Sequence, residues 1–235
     1  MFVDMHVHCT ELNDLSKYRG NYVLVCVSDN LESSYTTIEI SEKYEYVKPC
    51  IGIHPWLAHE YAVKDALRLL EKLASSVQCL GEVGLDKKFK PDTLDKQLVI
   101  FNVFLDYARE YDLLLNLHAA GAWDMVFQLV YSKNINKAYF HWYTGPLSLA
   151  DQITSVGYFI GANPALVIQD KHRQILDHVR LESILTESDG PYNYRGLNLT
   201  PELIDKAILY LSEKKHLEPE RVKDIVYGNF KKLFK

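Results

Sequence analysis

The chain has 235 residues, 48% of them hydrophobic, which is enough for one large core. With 26 basic and 31 acidic residues its net charge is −5, which excludes a generally basic nucleic-acid surface but not a local one. No uninterrupted apolar run approaches ~18 residues and no basic-plus-apolar leader precedes Asp4, so no membrane association and a cytoplasmic location are expected.

Short apolar runs alternate along the chain with longer amphipathic stretches. Residues 1–6 and 22–27 read as the first two strands, followed by a helical pattern over 37–46. A third strand at 47–53 precedes a helix at 63–73, and a fourth at 77–83 precedes one at 93–111. The fifth, 113–117, leads to a helix at 122–131, and the sixth covers 138–141. The seventh, 157–161, leads to a helix at 165–176, and the eighth, 183–186, to two closing helices at 201–214 and 220–234. Thr200-Pro201 places a cap residue before proline at a first helical position.

Nearly continuous apolar strands alternating with helices imply a parallel sheet covered by helices. Eight strands leave roughly 29 residues per unit, within the compact range of a (β/α)8 barrel. The fold class read here is therefore α/β, a single TIM barrel, with one domain spanning residues 1–235. An open doubly wound sheet is the alternative, but no glycine-rich loop follows the first strand to hold a nucleotide. Cys9, Cys26, Cys50 and Cys79 show no C-x-x-C spacing, and three lie in apolar runs, which fits packed thiols in a reducing compartment better than a disulfide framework.

Ligand-type side chains recur where strands give way to loops, the rim at which barrel enzymes build their sites. His6 and His8 sit two apart on the first strand, so both imidazoles point to one face. The third strand runs into Gly52-Ile53-His54-Pro55, and the fourth into Gly81-Glu82-Val83-Gly84-Leu85-Asp86. The fifth and sixth reach His118 and His141, and the eighth runs into Glu187-Ser188-Asp189-Gly190-Pro191. Burying this many titratable groups together is costly without a compensating cation, and a divalent metal supplies it. Around this rim, Trp56, Trp142, Tyr143, Tyr192 and Tyr194 offer aromatic faces either to unpaired bases or to loop packing. Lys87, Lys88, Lys90 and Lys96 form one lysine cluster and Lys231, Lys232 and Lys235 another, each suited to a phosphate backbone or to plain solvation.

In this order, D-M-H-V-H, G-I-H-P, G-E-V-G-L-D, L-H, F-H and S-D-G-P resemble the TatD family of metal-dependent hydrolases, commonly DNases. The resemblance continues through Arg195-Gly196-Leu197-Asn198 to Tyr227-Gly228-Asn229-Phe230 near the chain's end. It implies two divalent metal ions (Zn, Mn, Mg, Fe or Ni), one on His6, His8 and Asp189, a second on His118 and His141, with Glu82 between them. Imidazole and carboxylate donors suit such ions, and paired ions clamp the two oxygens of an in-line displacement. Within that set Asp189 is the candidate proton acceptor, and His54 the candidate donor to a substrate phosphate oxygen. Asp4 and Glu187 are candidate partners that orient a ligating imidazole. Ser188 stands where the family usually has Thr, Ala119-Ala120 where a basic residue is frequent, and Trp142-Tyr143-Thr144-Gly145 where a Cys-Phe-Ser-Gly type is usual.

The function expected is cleavage of DNA phosphodiester bonds by a metal-activated water, on a single strand or a strand end. The competing reading is a barrel hydrolase of small phosphate esters, amides or lactones, and a third is a non-catalytic metal-stabilised binding surface. A monomer is compatible with the chain.

Overall fold

A parallel sheet covered on both faces favours mainly apolar strands, and the chain supplies eight of them. In the computed structural model, which describes residues 1–234, they are β1 (Phe2–Val7), β2 (Tyr22–Val27), β3 (Val47–Ile51), β4 (Cys79–Gly84), β5 (Leu114–His118), β6 (Ala138–Phe140), β7 (Phe159–Ala162) and β8 (Ile184–Thr186). Sheet order follows chain order from β1 to β8. The helices are α1 (Leu31–Lys43), α2 (Val63–Leu73), α3 (Leu94–Glu110), α4 (Trp123–Ser132), α5 (Leu147–Ser155), α6 (Asp170–His178), α7 (Ile204–Lys215) and α8 (Pro219–Leu233). This is the (β/α)8 TIM-barrel fold expected from the sequence. Among the described residues no helix is long and apolar enough to cross a membrane.

The chain divides into two compact units. The first holds Met1–Cys26, Tyr44–Val47 and the chain from His141 onward. There β1 runs parallel to β2, from Phe2 opposite Tyr22 to Val7 opposite Cys26, with an irregularity after Asp4. β7 pairs with β8 from Ile160 opposite Ile184 to Ala162 opposite Thr186. Beyond β8 the backbone continues alongside β1: the Asp189 N–H donates to the His6 carbonyl and the His8 N–H to the Gly190 carbonyl, each at 2.8 Å. Met5, Leu24, Leu185, Ile208, Leu211 and Val226 are fully or almost fully buried, each contributing about 1.5–3 kcal/mol of transfer free energy. The buried Asn229 amide of α8 donates to the Leu181 and Ile184 carbonyls, both at 2.9 Å, fixing that helix against the start of β8.

The second unit holds Val27–Lys43 and Lys48–Phe140. β3 meets β4 at Cys50 opposite Cys79, and β4 meets β5 from Cys79 opposite Leu114 to Gly84 opposite His118. The last pairing requires glycine: Gly84 has φ +142°, and a Cβ there would lie 1.9 Å from the His118 carbonyl oxygen. Leu69, Leu80, Phe101, Phe104 and Leu115 form its core.

Several expectations needed correction. α1 starts at Leu31 rather than 37, because the Asn30 side chain accepts from the Ser33 N–H at 2.8 Å and the Ser33 hydroxyl accepts from the Asp29 and Asn30 N–H groups. The helix expected over 165–176 is a short turn at Pro164–Val167 followed by α6, with the Asn163 side chain capping the turn through the Ala165 N–H. α5 was not anticipated, nor was an antiparallel hairpin of β9 (Tyr192–Tyr194) and β10 (Leu197–Leu199). The hairpin turns on Arg195 and Gly196, with φ of +52° and +87°. The expectation of four packed thiols fails: the structure joins Cys9 to Cys26 and Cys50 to Cys79 as disulfides, with Cα separations of 5.3 and 4.5 Å. Strand register sets Cys50 opposite Cys79, and the turn that follows β1 carries Cys9 to Cys26 of β2; neither is visible in sequence spacing.

Candidate metal centre

In the first unit, β1 carries His6 fully buried and delivers the partly exposed His8 just beyond its end. The backbone ties of Asp189 and Gly190 to His6 and His8 bring Asp189 to both: its Oδ1 lies 3.5 Å from His6 Nε2 and 3.5 Å from His8 Nε2. Asp189 holds a left-handed φ of +57°, a conformation that non-glycine residues seldom adopt. Burial pushes its carboxyl up, but the imidazoles of His141, His8 and His6 outweigh that and hold it below the usual carboxylate range. The His6 ring stacks on His141 with centroids 3.8 Å apart. His141 Nδ1 lies 3.3 Å from Glu187 Oε2, while Glu187 Oε1 accepts from the Trp142 N–H at 2.9 Å and from the Asn163 amide at 3.4 Å.

Asp4 is fully buried, and its Oδ1 accepts from the Ser188 N–H at 2.9 Å and the His6 N–H at 3.2 Å. Desolvation outweighs these bonds and raises its pKa to about 7. Asp4 therefore fastens the backbone on either side of the imidazoles rather than the rings themselves. Beyond His141, Trp142 donates its indole N–H to Gln169 and meets Tyr194 edge-on at 4.9 Å and Tyr192 at 6.4 Å. Tyr143 is buried, with its hydroxyl donating to the Pro146 carbonyl at 2.7 Å, and is a packing residue.

In the second unit, Glu82 and His118 leave β4 and β5 with His118 Nδ1 2.5 Å from Glu82 Oε1. His54 Nε2 lies 3.3 Å from the same oxygen, and its Nδ1 accepts from the Trp56 N–H at 3.1 Å. Burial lowers the pKa of His54 despite the attraction of Glu82. The acceptor role of Nδ1 leaves the proton of the neutral ring on Nε2, facing Glu82. His118 is the opposite case. Burial disfavours its charge, but hydrogen bonds to Asp86 and Glu82 win and raise its pKa to about 9.

Asp86 is the residue that sequence reasoning left without a role. Its Oδ2 lies 2.9 Å from His118 Nε2 and accepts from the Trp56 indole N–H at 2.6 Å, while its Oδ1 accepts from the Lys88 and Phe89 N–H groups at 2.8 and 2.7 Å. Burial of Asp86 is outweighed by these donors, so its carboxyl stays well below the usual range. The one signal in the sequence was an Asp at a strand end followed by Lys-Lys-Phe, the setting in which a carboxylate folds a loop back on itself.

Within the separate units, ligand-type atoms lie within 4.8 Å of one another in three groups: His6, His8 and Asp189; His6, His141 and Glu187; and His54, Glu82 and His118. Mixed imidazole and carboxylate donors of this kind fit a divalent transition metal. His6, His8, His54, Glu82, His118, His141 and Asp189 each fall in one of these groups, and Asp4 does not. His54, expected to face substrate, stands among ligand-type atoms, and so does Glu187, expected only to support. Of the second lysine cluster, Lys231 and Lys232 lie over the Tyr227 and Phe159 rings, and Lys235 is outside the described residues.

Residues 3–235 match the family described as TatD-related DNase. A protein of Methanocaldococcus jannaschii, named as an uncharacterised metal-dependent hydrolase, is 26% identical over all of this chain and 97% of its own length. A Danio rerio protein named as a deoxyribonuclease candidate is 25% identical over 99% of this chain and 97% of its own length. Among solved structures, the TatD homologue YjjV of Escherichia coli superposes with a TM-score of 0.85 at 20% identity, covering 99% of this chain and 97% of that one.

Proposed function

The chain belongs to the TatD-related DNase family, and on that premise we propose that it is a metal-dependent hydrolase that cleaves DNA phosphodiester bonds, with residues 1–235 acting as one catalytic domain. The observation that carries this reading is the meeting of His6, His8 and Asp189, from opposite ends of the sequence, around a space that one ion fits. We assign one divalent ion to these three residues and a second to Glu82 with His118, and His141 supplies a further imidazole beside His6 and Glu187. Bound there, such ions acidify water toward neutral pH and polarise a phosphoryl oxygen.

The protein's own groups divide the remaining work. Asp189, kept ionised by its imidazole neighbours, orients the attacking water and accepts its proton. His54 is neutral with its proton on Nε2 beside Glu82, and once Glu82 is engaged by an ion that N–H can donate toward a non-bridging phosphate oxygen as charge develops there. Glu187 and Asp86 steady the His141 and His118 rings from behind. The substrate proposed is an unpaired DNA strand or strand end, and the location proposed is the cytoplasm.

Metal analysis of the purified protein, with labelled oligonucleotides incubated in Mg, Mn or Zn, tests the assignment. Metal-dependent cleavage that disappears in Glu82→Ala and Asp189→Asn is expected. Cleavage undiminished in either variant, or turnover confined to small esters and amides, would refute it.

A further inference from the structure

Against a net charge of −5, residues 87–90 read Lys-Lys-Phe-Lys, and all four are exposed. Phe89 is 57% exposed and meets Trp56, itself 37% exposed, edge-on at 5.9 Å. The Lys88 ammonium lies 4.8 Å from the Phe89 ring centre. Large rings left this open cost solvation free energy that the fold does not recover, and here they alternate with cations.

The loop is also built to stay in place. Both Lys88 and Phe89 N–H groups end on Asp86, the Lys87 N–H donates to the Ala120 carbonyl at 2.9 Å, and the buried Gln97 amide donates to the Lys90 carbonyl at 2.8 Å. The Trp56 indole is pinned to the same Asp86 carboxylate that holds His118. One buried carboxylate therefore fixes an exposed aromatic pair relative to a candidate metal-binding imidazole. A surface ordered in advance loses little entropy when a ligand docks.

We propose that Trp56, Phe89 and the lysines at 87, 88 and 90 form a subsite for an unpaired stretch of the DNA substrate. A base stacks on Phe89 beside Trp56, and the three ammonium groups take backbone phosphates. The proposal rests on the nuclease reading and names the residues that would give the strand preference proposed above. Paired bases within a duplex keep their faces covered and cannot use the rings, whereas a single strand presents a π-face at every nucleotide.

The probe is a fluorescent oligothymidylate with a cleavage-resistant phosphorothioate backbone, and binding to the metal-loaded protein is followed by anisotropy across a salt series. Phe89→Ala weakens binding about tenfold with little change in salt dependence, and Phe89→Trp restores it. Replacing all three lysines by Ala lowers the slope of log K against log salt by about 2. A duplex of equal length binds more weakly and does not respond to Phe89→Ala. Strand binding indifferent to both sets of changes, or a Phe89 effect equal on strand and duplex, would overturn the subsite. Hydrolysis is scored separately on unmodified oligonucleotides. Strand binding that follows the expected pattern without any hydrolysis overturns the nuclease reading while supporting the subsite, and cleavage with Phe89 and the lysines dispensable for binding does the reverse.

Discussion

In the first unit the imidazoles of His6, His8 and His141 are set mainly by backbone: two strand-like ties at 2.8 Å bring Asp189 to them, and the carboxylates of Asp4 and Glu187 are occupied largely by N–H groups. In the second, His118 is gripped on both ring nitrogens by Glu82 and Asp86, and His54 hangs from the same Glu82 oxygen. One half relies on main-chain register and the other on side-chain carboxylates. The first should tolerate loss of an outer carboxylate, while the second should lose the orientation of its ligand with it.

The most severe way to break the second half leaves its chemistry untouched. Gly84→Ala drives a methyl group into the His118 carbonyl, 1.9 Å away and part of the backbone, at a φ of +142°. A cost above about 4 kcal/mol is expected, enough to abolish soluble expression or collapse the thermal transition. A variant that melts near the parent temperature would show that β4 and β5 can separate there without loss.

Asp189→Asn and Glu82→Ala act on one half each. Each should lower kcat by about 10²–10⁴-fold. Metal analysis sharpens the comparison, since each variant should lose the ion of its own half and keep the other. Loss of both ions from either variant would mean that the two halves bind metal as one cooperative unit.

The outer carboxylates are the direct test of the contrast. Asp86→Asn keeps size and most of the loop's hydrogen bonds but weakens the hold on His118 Nε2, so metal affinity should fall about 10–100-fold by titration calorimetry. Glu187→Gln, whose bond to His141 is a longer 3.3 Å, should fall at or below the lower end of that range. Equal losses would erase the distinction between a backbone-set and a carboxylate-set half.

What the sequence disclosed follows from which features are local. His6 and His8 were legible because alternate strand residues share a face, and Glu82, His118, His141 and Asp189 because each closes an apolar run. The role of Asp86 depends on a loop folding back over it, and that of Gly84 on the approach of a neighbouring strand. Neither has a periodicity to betray it. The cysteine pairs are 17 and 29 residues apart and adjoin only through the pairing of neighbouring strands and, for Cys9, the turn after β1. The hairpin bearing Tyr192 and Tyr194 was hidden because its strands are three residues each, too short for alternation to register.

The smallest expected effect probes the scaffold behind the first half. His172 of α6 is fully buried, its Nε2 accepting from the Asn163 N–H at 2.9 Å and its Nδ1 donating to the Tyr143 carbonyl at 3.2 Å. Burial, only partly offset by Glu187 and the Tyr143 carbonyl, depresses its pKa to about 4, against about 6.5 in an unfolded chain. Between those values the unfolded state binds more protons, so the contribution of His172 is complete above about 6.5 and is lost as pH falls toward 4. At pH 5.5 the loss should be about 1 kcal/mol by urea unfolding, compared with pH 7.5. His172→Gln costs stability at both values but removes this decline. A decline of the same size in the variant would place the acid-sensitive group elsewhere, and the first half would then rest on its backbone ties without help from a neutral core imidazole.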